Sequence, residues 1–276
     1  MNFVFYKMHG TGNDFIVVDN HKEESLDWNH TFVRSICQAH TGIGADGLLV
    51  IEHTQNADFR MRFFNSDGYE SDMCVNGGRC ICYLAHRLKL VGNKFTFLAG
   101  DGIHSAEILP EQQVKIQVFL HQMQDKRTFP VDFKLSHSLY FKRFLNTGVP
   151  HVILEGSEIS AVPVEQIGRV LRFHPYYQPA GTNVNFVQII SRTKPYTLGL
   201  RTFERGVDAE TLSCGTGATA AALSFFATGE SAKPQQVIVK TRGGDLIVSF
   251  MGDGEDIYLQ GPVRIVYKGK YYKEDL

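Results

Sequence analysis

The sequence predicts a mixed α/β (α+β) fold built from two similar lobes, and three observations indicate it. Short runs that alternate like strands outnumber the helical segments, and glycine-rich turns connect them. The chain has 276 residues, which corresponds to about two domains of roughly 150 residues each. The order of elements in the first half also recurs in the second half, around two helices that each begin at a cysteine.

The first half is predicted to contain short strands around one long helix. A helix is expected at residues 31–40 and a longer one at 74–90, with Gly92 placed to end it. Glycine-rich stretches at 10–14 and 42–47 have the composition of turns. Strands are predicted at 3–7, 15–19, 48–51, 59–64, 95–98, 105–109 and 114–120, the last three forming a β-meander.

The second half repeats that order. A helix is predicted at 164–173, and an alanine-rich helix at 214–228 closed by Gly229. Strands are predicted at 139–145, 152–155, 185–190, 197–203, 237–241, 246–250 and 257–260, with turns at 243–245 and 252–254. A last strand at 263–267 has no counterpart in the first half, and we expect it to return there to pack.

Cys74 and Cys214 occupy corresponding positions in the repeat, because each one begins a long helix. Asn65 lies nine residues before Cys74, and Arg205 lies nine residues before Cys214. We therefore predict an internal duplication whose boundary falls in the polar stretch 122–130. The N-terminal lobe would comprise residues 1–122 plus 263–276, and the C-terminal lobe residues 123–262.

Composition excludes several classes of function. Apolar residues make up 43% of the chain, enough for a sizeable core, and the net charge of −1 lacks the basic excess typical of nucleic-acid binders. The longest apolar stretch is about half of the roughly 20 residues that a membrane helix needs, and the first residues do not form a signal peptide. Five cysteines are too few for a secreted disulfide framework. We predict a cytoplasmic protein with no nucleic-acid or membrane partner.

The two helix-opening cysteines indicate acid–base chemistry. Backbone N–H groups and the helix dipole favour an anion at a helix N-terminus, and a thiol with an ordinary pKa of about 8.5 becomes more acidic there. Similar lobes generally bind a ligand in the cleft between them. Two facing thiols could invert a carbon centre, because one removes a proton from one face while the other supplies a proton to the opposite face. Both helix starts could hold the adjacent carboxylate.

Less specific interpretations were weighed for each cysteine. A single cysteine at a helix start is more often a small buried residue than a catalyst, and a disulfide between Cys74 and Cys214 would abolish thiolate chemistry. Cys80 and Cys82 are interpreted as core residues of the first long helix, and Cys37 as packing on the helix at 31–40. The spacing of Cys74, Cys80, Cys82 and His86 fits no usual zinc site, so no metal is predicted.

Five segments together resemble the diaminopimelate epimerase family. They are residues 7–15 (KMHGTGNDF), 42–47 (GIGADG), 63–68 (FFNSDG), 204–206 (ERG) and 210–217 (ETLSCGTG). The resemblance runs from the first ten residues to beyond Gly261. It implies two lobes, each a β-barrel-like, mostly antiparallel sheet around a central helix, usually in a homodimer. It also implies interconversion of LL- and meso-2,6-diaminopimelate, a small amino-acid substrate, without pyridoxal phosphate or any other cofactor.

The resemblance also implies roles for individual residues. Cys74 and Cys214 would be the acid–base pair, and His151 would lie near the reacting centre. The reacting carboxylate would be held by Asn76, Gly215, Thr216 and the amide of Val75. The distal amino-acid end would be fixed by Asn13, Asn65, Asn183 and Arg205, and a substrate ammonium would be bound by Glu204.

The chain departs from the family pattern at three positions. Val75 stands where a glycine commonly follows the first cysteine, and its branched side chain at the helix start could crowd the carboxylate. Gly47 replaces a substrate-contacting glutamine of some members, and Val149 replaces an asparagine.

Three other functions stay open from the sequence. A two-thiol proline or hydroxyproline racemase would need neither Arg205 nor three asparagines for a second amino-acid head. A relative of the phenazine-biosynthesis isomerases would have a carboxylate base in place of the first thiol, which Cys74 argues against. A non-catalytic amino-acid-binding relative would keep its ligand affinity after both cysteines were replaced by alanine.

Overall fold

The computed structural model describes residues 2–21, 26–119, 128–130, 133–135, 138–226, 236–251 and 256–272. The chain divides into two compact units, the first comprising residues 1–117 and 261–276 and the second residues 118–260. Within the described ranges, no helix is both long and apolar enough to cross a membrane.

The first unit contains a closed eight-stranded barrel. Its elements are β1 (Asn2–Gly10), β2 (Asn13–Asp19), α1 (His30–Cys37), β3 (Gly47–Glu52), β4 (Phe59–Asn65), β5 (Glu70–Ser71), α2 (Val75–Arg87), β6 (Lys94–Ala99), β7 (Gly102–Leu109) and β8 (Gln113–Val118). The eighth strand is the C-terminal part of β16 (Asp256–Tyr272), which pairs antiparallel with β1 and follows β8 in the strand order. On the β8 side, Val263 N–H donates to the carbonyl of Gln112, which closes the barrel.

The long helix α2 is the centre of the first unit. It packs against β1, β2, β3, β4 and β7, and nearly all of its side chains are buried. The shorter α1 covers a separate apolar cluster, in which Phe3, Trp28 and Phe32 make edge-on and stacked ring contacts. A helix that is buried on most sides needs small residues, and α2 supplies Gly77 and Gly78 near its start.

The second unit repeats this plan. Its elements are β9 (Leu139–Asn146), β10 (Pro150–Gly156), α3 (Val164–Arg172), a 3-10 helix (Pro175–Tyr177), β11 (Asn183–Ser191), β12 (Thr197–Glu204), β13 (Ala209–Thr211), α4 (Gly215–Phe226), β14 (Gln236–Thr241) and β15 (Gly244–Met251). The strand order is β9, β10, β11, β12, β14, β15 and then residues 256–260 of β16. Helix α4 packs against six of these strands, and α3 packs against β11 and β12.

Matching ion pairs precede the two long helices. Arg62 on β4 forms a two-pronged pair with Glu70 on β5, with both N···O distances 2.8 Å. Arg201 on β12 forms the same pair with Glu210 on β13, at 2.7 and 2.8 Å. Each glutamate lies four residues before its cysteine, so each pair closes the hairpin that leads into a long helix. These pairs reinforce the prediction of two similar lobes, which the fold confirms.

Two predictions about the elements were wrong. The sequence predicts separate strands at 257–260 and 263–267, but β16 is one strand of 17 residues. It continues because its first part pairs with β15 and its later part with β1, which confirms its return to the first unit. Helix α1 ends at Cys37 instead of residue 40, because Ile43 N–H and Gly44 N–H take the carbonyl of Ile36.

Several predicted features lie partly or wholly outside the described residues. These are residues 122–127 of the predicted boundary, the turn at 252–254, and residues 227–229 at the predicted end of α4. The remaining long elements were placed correctly to within a few residues. The short strands β5 and β13 and the 3-10 helix were not predicted.

Candidate active site

Cys74 is the N-cap of α2. Its backbone is extended, with φ −128° and ψ 117°, and its Sγ accepts a hydrogen bond from Gly77 N–H at 3.4 Å. The carbonyl of Cys74 accepts the next one, from Gly78 N–H at 2.7 Å. The sulfur therefore occupies the position that a serine or aspartate oxygen usually takes at a helix start. Negative charge on this half-buried sulfur is favoured by the hydrogen bond and by the helix dipole.

Two of the predicted asparagines lie against Cys74. The thiol of Cys74 is 3.8 Å from Asn13 Oδ1, and Asn76 Nδ2 donates to the same oxygen at 3.2 Å. Asn13 Nδ2 donates to Asp46 Oδ2 at 2.6 Å, which fixes the orientation of the Asn13 amide with its oxygen towards the thiol. The structure thus brings Asn13, Cys74 and Asn76 together at the start of α2.

Arg79 is a residue of this half-site that the sequence analysis missed. Its side chain is 0% exposed, and its Nη2 donates to Asn76 Oδ1 at 3.0 Å and to Thr11 Oγ1 at 3.2 Å. Its Nε and Nη1 atoms are buried without a hydrogen-bond partner among the described residues. Burial lowers the pKa of Arg79 to about 10, so the guanidinium is still charged at neutral pH. A buried cation therefore lies beneath the Asn76 side chain.

Cys214 has the same local geometry at the start of α4. Its Sγ accepts from Gly217 N–H at 3.4 Å, and its carbonyl accepts from Ala218 N–H at 2.9 Å. The Thr216 hydroxyl lies 3.4 Å from the sulfur, while the Thr216 carbonyl accepts from the buried Thr147 hydroxyl at 3.1 Å. Cys214 is 4% exposed, so this thiol is buried in its unit.

The predicted distal-end residues of the second unit are held by backbone groups. Asn183 is buried, its Oδ1 accepts from the backbone N–H of Arg205 at 2.8 Å, and its Nδ2 donates to the Pro150 carbonyl at 3.0 Å. The half-buried Arg205 guanidinium donates to Ala180 O at 3.0 Å, and burial together with Arg172 lowers its pKa. Asn183 is thus committed to positioning the turn that carries Arg205.

Glu204, Asn65 and Val75 differ in their surroundings and their exposure. Glu204 accepts from the Thr211 hydroxyl at 2.9 Å. Asn65 is exposed at the end of β4, where its backbone bonds to Gly68 and Tyr69. The Val75 side chain is 6% exposed, so it is buried at the first position of α2.

Gly47 has no space for a side chain. A Cβ there would lie 2.6 Å from the carbonyl oxygen of Phe64 and 2.8 Å from the ring of Phe63. The close packing of β4 against β3 therefore leaves no room for a glutamine at position 47.

His151 is fully buried on β10, next to a residue that the sequence analysis also missed. Asn185 Nδ2 lies 3.0 Å from His151 Nδ1 and donates to the Val152 carbonyl at 3.1 Å, while its Oδ1 accepts from the Thr202 hydroxyl at 3.0 Å. A Cβ placed on Gly217 would lie 2.6 Å from Asn185 Oδ1 and 3.3 Å from Cys214 Sγ. The amide oxygen and the sulfur therefore border the same Gly217 α-carbon.

The other three cysteines lie in the core, as predicted. Cys80 and Cys82 are fully buried in α2, and Cys37 is 5% exposed in α1. Burial raises the pKa of all three thiols, to about 12 for Cys37. None of the five cysteines forms a disulfide bond, and the parts of the chain that the structure covers contain no group of three His, Cys, Asp or Glu side chains suited to a metal.

The sequence matches the diaminopimelate epimerase family over residues 5–118 and 143–266. Similar proteins include the diaminopimelate epimerase of Aquifex aeolicus, 40% identical over 283 residues and covering 99% of each chain. The diaminopimelate epimerase of Chlorobaculum tepidum is 41% identical over 267 residues, which cover 95% of this chain and 98% of that one.

Solved structures share the fold at low sequence identity. A phenazine biosynthesis protein from Bacillus anthracis has a TM-score of 0.72 at 16% identity, over 99% of this chain and 100% of that one. A probable proline racemase from Agrobacterium radiobacter has a TM-score of 0.69 at 13% identity, over 99% and 93% of the two chains. At such identities the likeness extends to the fold alone.

Proposed function

The chain belongs to the diaminopimelate epimerase family, and from that premise we propose that it interconverts LL- and meso-2,6-diaminopimelate by proton transfer through Cys74 and Cys214. The protein is then an isomerase that acts on an amino acid, on the route to lysine and to peptidoglycan precursors. The observation that carries the proposal is the repeated cap, in which each cysteine sulfur accepts an N–H at 3.4 Å from the third residue of its helix.

The two sulfurs begin the reaction in different protonation states. A thiolate on one cysteine removes the α-proton, so an S–H bond forms while the C–H bond breaks. The electron pair stays on the α-carbon and its carboxylate. The thiol on the other cysteine then gives its proton to the opposite face, so the centre inverts and the second sulfur becomes the thiolate. General acid–base catalysis of this kind typically contributes about 10²- to 10⁴-fold per group.

The helix starts supply the stabilisation that the carbanion needs. Deprotonation adds negative charge next to a carboxylate, and backbone N–H groups at a helix N-terminus bind such charge. We assign this role to Asn76 and the amide of Val75 on α2, and to Gly215 and Thr216 on α4. Because these amides are fixed by their helices, they need little reorganisation as the charge develops.

The distal end of the substrate determines specificity. Diaminopimelate has a second amino-acid head, and the planar fork of Arg205 is suited to bind its carboxylate in two-pronged geometry. Asn13, Asn65 and Asn183 would complete this subsite, and Glu204 would accept hydrogen bonds from a substrate ammonium. Proline has no second head, so a proline racemase would have no use for this set of groups.

Location, oligomeric state and cofactor use complete the proposed function. We propose a cytoplasmic homodimer that needs neither pyridoxal phosphate nor a metal, because the two thiols provide both proton transfers. The molar mass measured by light scattering would test the dimer. Full activity after treatment with hydroxylamine and a metal chelator would support the cofactor-independent reaction, and a loss restored by either cofactor would contradict it.

Incubation with LL-diaminopimelate in deuterated water tests the reaction itself. The wild-type enzyme should form the meso isomer and incorporate deuterium at one α-carbon. The Cys74→Ala and Cys214→Ala variants should each lose net inversion, because each lacks the acid or the base for one face.

The Cys37→Ala variant is the matched control, because it removes a buried thiol that the mechanism does not use. It should keep the wild-type rate of inversion. Inversion of proline but not of diaminopimelate would favour the racemase alternative. Tight diaminopimelate binding without deuterium incorporation would favour the non-catalytic binding module, and either result would overturn the proposed reaction.

A further inference from the structure

A chain of buried hydrogen bonds fixes the proton position on His151. The Val152 carbonyl can only accept, so the group of Asn185 facing it must be Nδ2, and its Oδ1 faces the Thr202 hydroxyl. The same Nδ2 lies 3.0 Å from His151 Nδ1. An amide nitrogen cannot accept a hydrogen bond, so Nδ1 is the acceptor and carries no proton.

The ring is therefore neutral, with its proton on Nε2. His151 is 0% exposed, and burial together with the positive charge of Arg205 lowers its pKa to about 3. The side chain consequently does not titrate near neutral pH, which makes it unsuited to act as a proton-transferring acid or base. It remains a hydrogen-bond donor of constant charge.

This donor has no partner in the described part of the chain. His151 Nε2 is buried without a hydrogen bond, and a buried unsatisfied donor destabilises the folded chain. Such a cost is tolerated at functional sites, where a ligand supplies the missing acceptor. Asn185 connects the ring to the cysteine, because Asn185 Oδ1 and Cys214 Sγ both border Gly217.

We propose that Asn185 is a positioning residue that holds His151 as a neutral Nε2–H donor, and that this donor binds the reacting carboxylate as negative charge develops on it. This inference rests on the proposed function. It assigns His151 to electrostatic stabilisation instead of proton transfer. The carbanion would then be stabilised by a side chain on a strand as well as by the residues at the two helix starts.

The first unit has apolar residues at the corresponding positions. The parallel strands β2 and β3 pair Phe15 with Gly47, and the parallel strands β10 and β11 pair His151 with Asn183. Phe15 therefore corresponds to His151. A Cβ on Gly77 would meet Leu49, whereas a Cβ on Gly217 would meet Asn185. The hydrogen-bonded pair is thus specific to the helix start that carries Cys214, and general fold construction does not require it.

Nitrogen-15 NMR of histidine-labelled wild-type enzyme tests the tautomer directly. His151 should show a protonated Nε2 and an unprotonated Nδ1, unchanged between about pH 5 and pH 8. The His151→Phe spectrum identifies its signals among the 11 histidines. A charged ring at the acid end of this range, or a proton on Nδ1, would overturn the inference and leave the epimerase assignment intact.

Kinetics of paired variants test the role. His151→Phe, which places the residue type of position 15 at this site, should lower kcat by about 10²-fold, the usual effect of removing one oxyanion donor, with a smaller effect on KM. His151→Gln should restore part of that loss, because its amide can donate. The control is His104→Phe, which removes a buried histidine whose ring nitrogens both have partners, and which should leave kcat unchanged.

Asn185→Asp reverses the polarity of the hydrogen bond while keeping the shape of the side chain. A carboxylate would accept from Nδ1–H, so Nε2 would lose its proton unless the ring became charged. Its kcat relative to wild type should therefore be lowest at alkaline pH and rise towards acid pH. A constant ratio across pH, or wild-type kcat in folded His151→Phe, would refute the donor role even if the wild-type enzyme epimerises diaminopimelate.

Discussion

Replacing Arg79 with methionine should separate catalysis from stability. Burial moves the pKa of Arg79 from 12.5 to about 10, which corresponds to a cost of about 3 kcal/mol at about 1.4 kcal/mol per tenfold change. Because the pKa is lower in the folded chain than in the unfolded chain, this cost applies at every pH below about 10. It is opposed by the hydrogen bonds to Thr11 and Asn76, worth roughly 1.5–3 kcal/mol each as bonds to a charged group.

The opposing terms largely offset each other, so the free energy of unfolding of Arg79→Met should lie within about 3 kcal/mol of wild type. The effect on the thiol should be of comparable size and confined to Cys74. Arg79 follows Cys74 by five residues, or roughly 8 Å along a helix, and a unit charge at that distance contributes about 2 kcal/mol at an effective dielectric constant of 20. The midpoint for alkylation of Cys74 should rise by about 1.5 pH units, and kcat should fall by about 30-fold.

The assay is iodoacetamide labelling across pH, with each cysteine quantified by mass spectrometry, alongside urea unfolding. Arg79→Lys keeps a charge and should restore most of the shift. Cys214 is the internal control, because the residue five positions after it is Thr219, whose hydroxyl bonds to the Gly215 carbonyl. The reasoning is refuted if the Cys74 midpoint stays unchanged in Arg79→Met, if both thiols shift together, or if stability falls by more than about 4 kcal/mol.

Three further predictions concern the helix starts and the hairpins before them. Gly217→Ala should reduce kcat more than Gly77→Ala, because the added methyl lies 2.6 Å from a buried amide oxygen at 217 but 3.0 Å from a movable leucine methyl at 77; equal losses in steady-state assays would contradict this. Val75→Gly should keep or raise turnover. It should lower the free energy of unfolding by about 2 kcal/mol, because a buried side chain is lost and the unfolded backbone gains freedom. A large loss of kcat/KM would show that Val75 is adapted to its pocket. The arginine partners lower the pKa of Glu70 and, against the opposing effect of burial, that of Glu210. The stabilisation from these two carboxylates is therefore complete above the ordinary carboxyl pKa of about 4.3 and is lost as pH falls through the lower folded-state pKa. Replacing both glutamates with glutamine should reduce the dependence of stability on acid pH, measured by circular dichroism.

The helix starts could be predicted from sequence because their signals are local. A cysteine followed by glycines at the junction of a turn and a helix is visible in the chain, and the structure places Cys74 and Cys214 as caps with equal N–H···S distances. The continuity of β16 was not predictable from local signals. Gly261 and Pro262 indicate a break in isolation, but pairing with β15 before them and with β1 after them keeps the strand extended.

The missed residues have significance only in three dimensions. An arginine within a helix is usually interpreted as a solvated side chain, and the burial of Arg79 depends on strands distant in sequence. Asn185 lies within an apolar strand, where an asparagine is unexpected. That mismatch was the available signal, but its partners His151 and Thr202 are 34 and 17 residues away. Buried polar residues within otherwise apolar elements are therefore candidate functional positions, as the cysteines are.

Duplication of one fold leaves the proposed two-base mechanism with a problem that these polar residues solve. In that mechanism inversion requires one thiolate and one thiol, but two identical helix starts would give neither cysteine a preference for the charge. The chain breaks this equivalence by placing the buried cation Arg79 near Cys74, whereas the uncharged Thr219 occupies the corresponding position after Cys214. We therefore expect the resting enzyme to hold its thiolate at Cys74. In the wild-type labelling series Cys74 should react at lower pH than Cys214, and the reverse order would show that the Arg79 charge does not decide which sulfur is ionised.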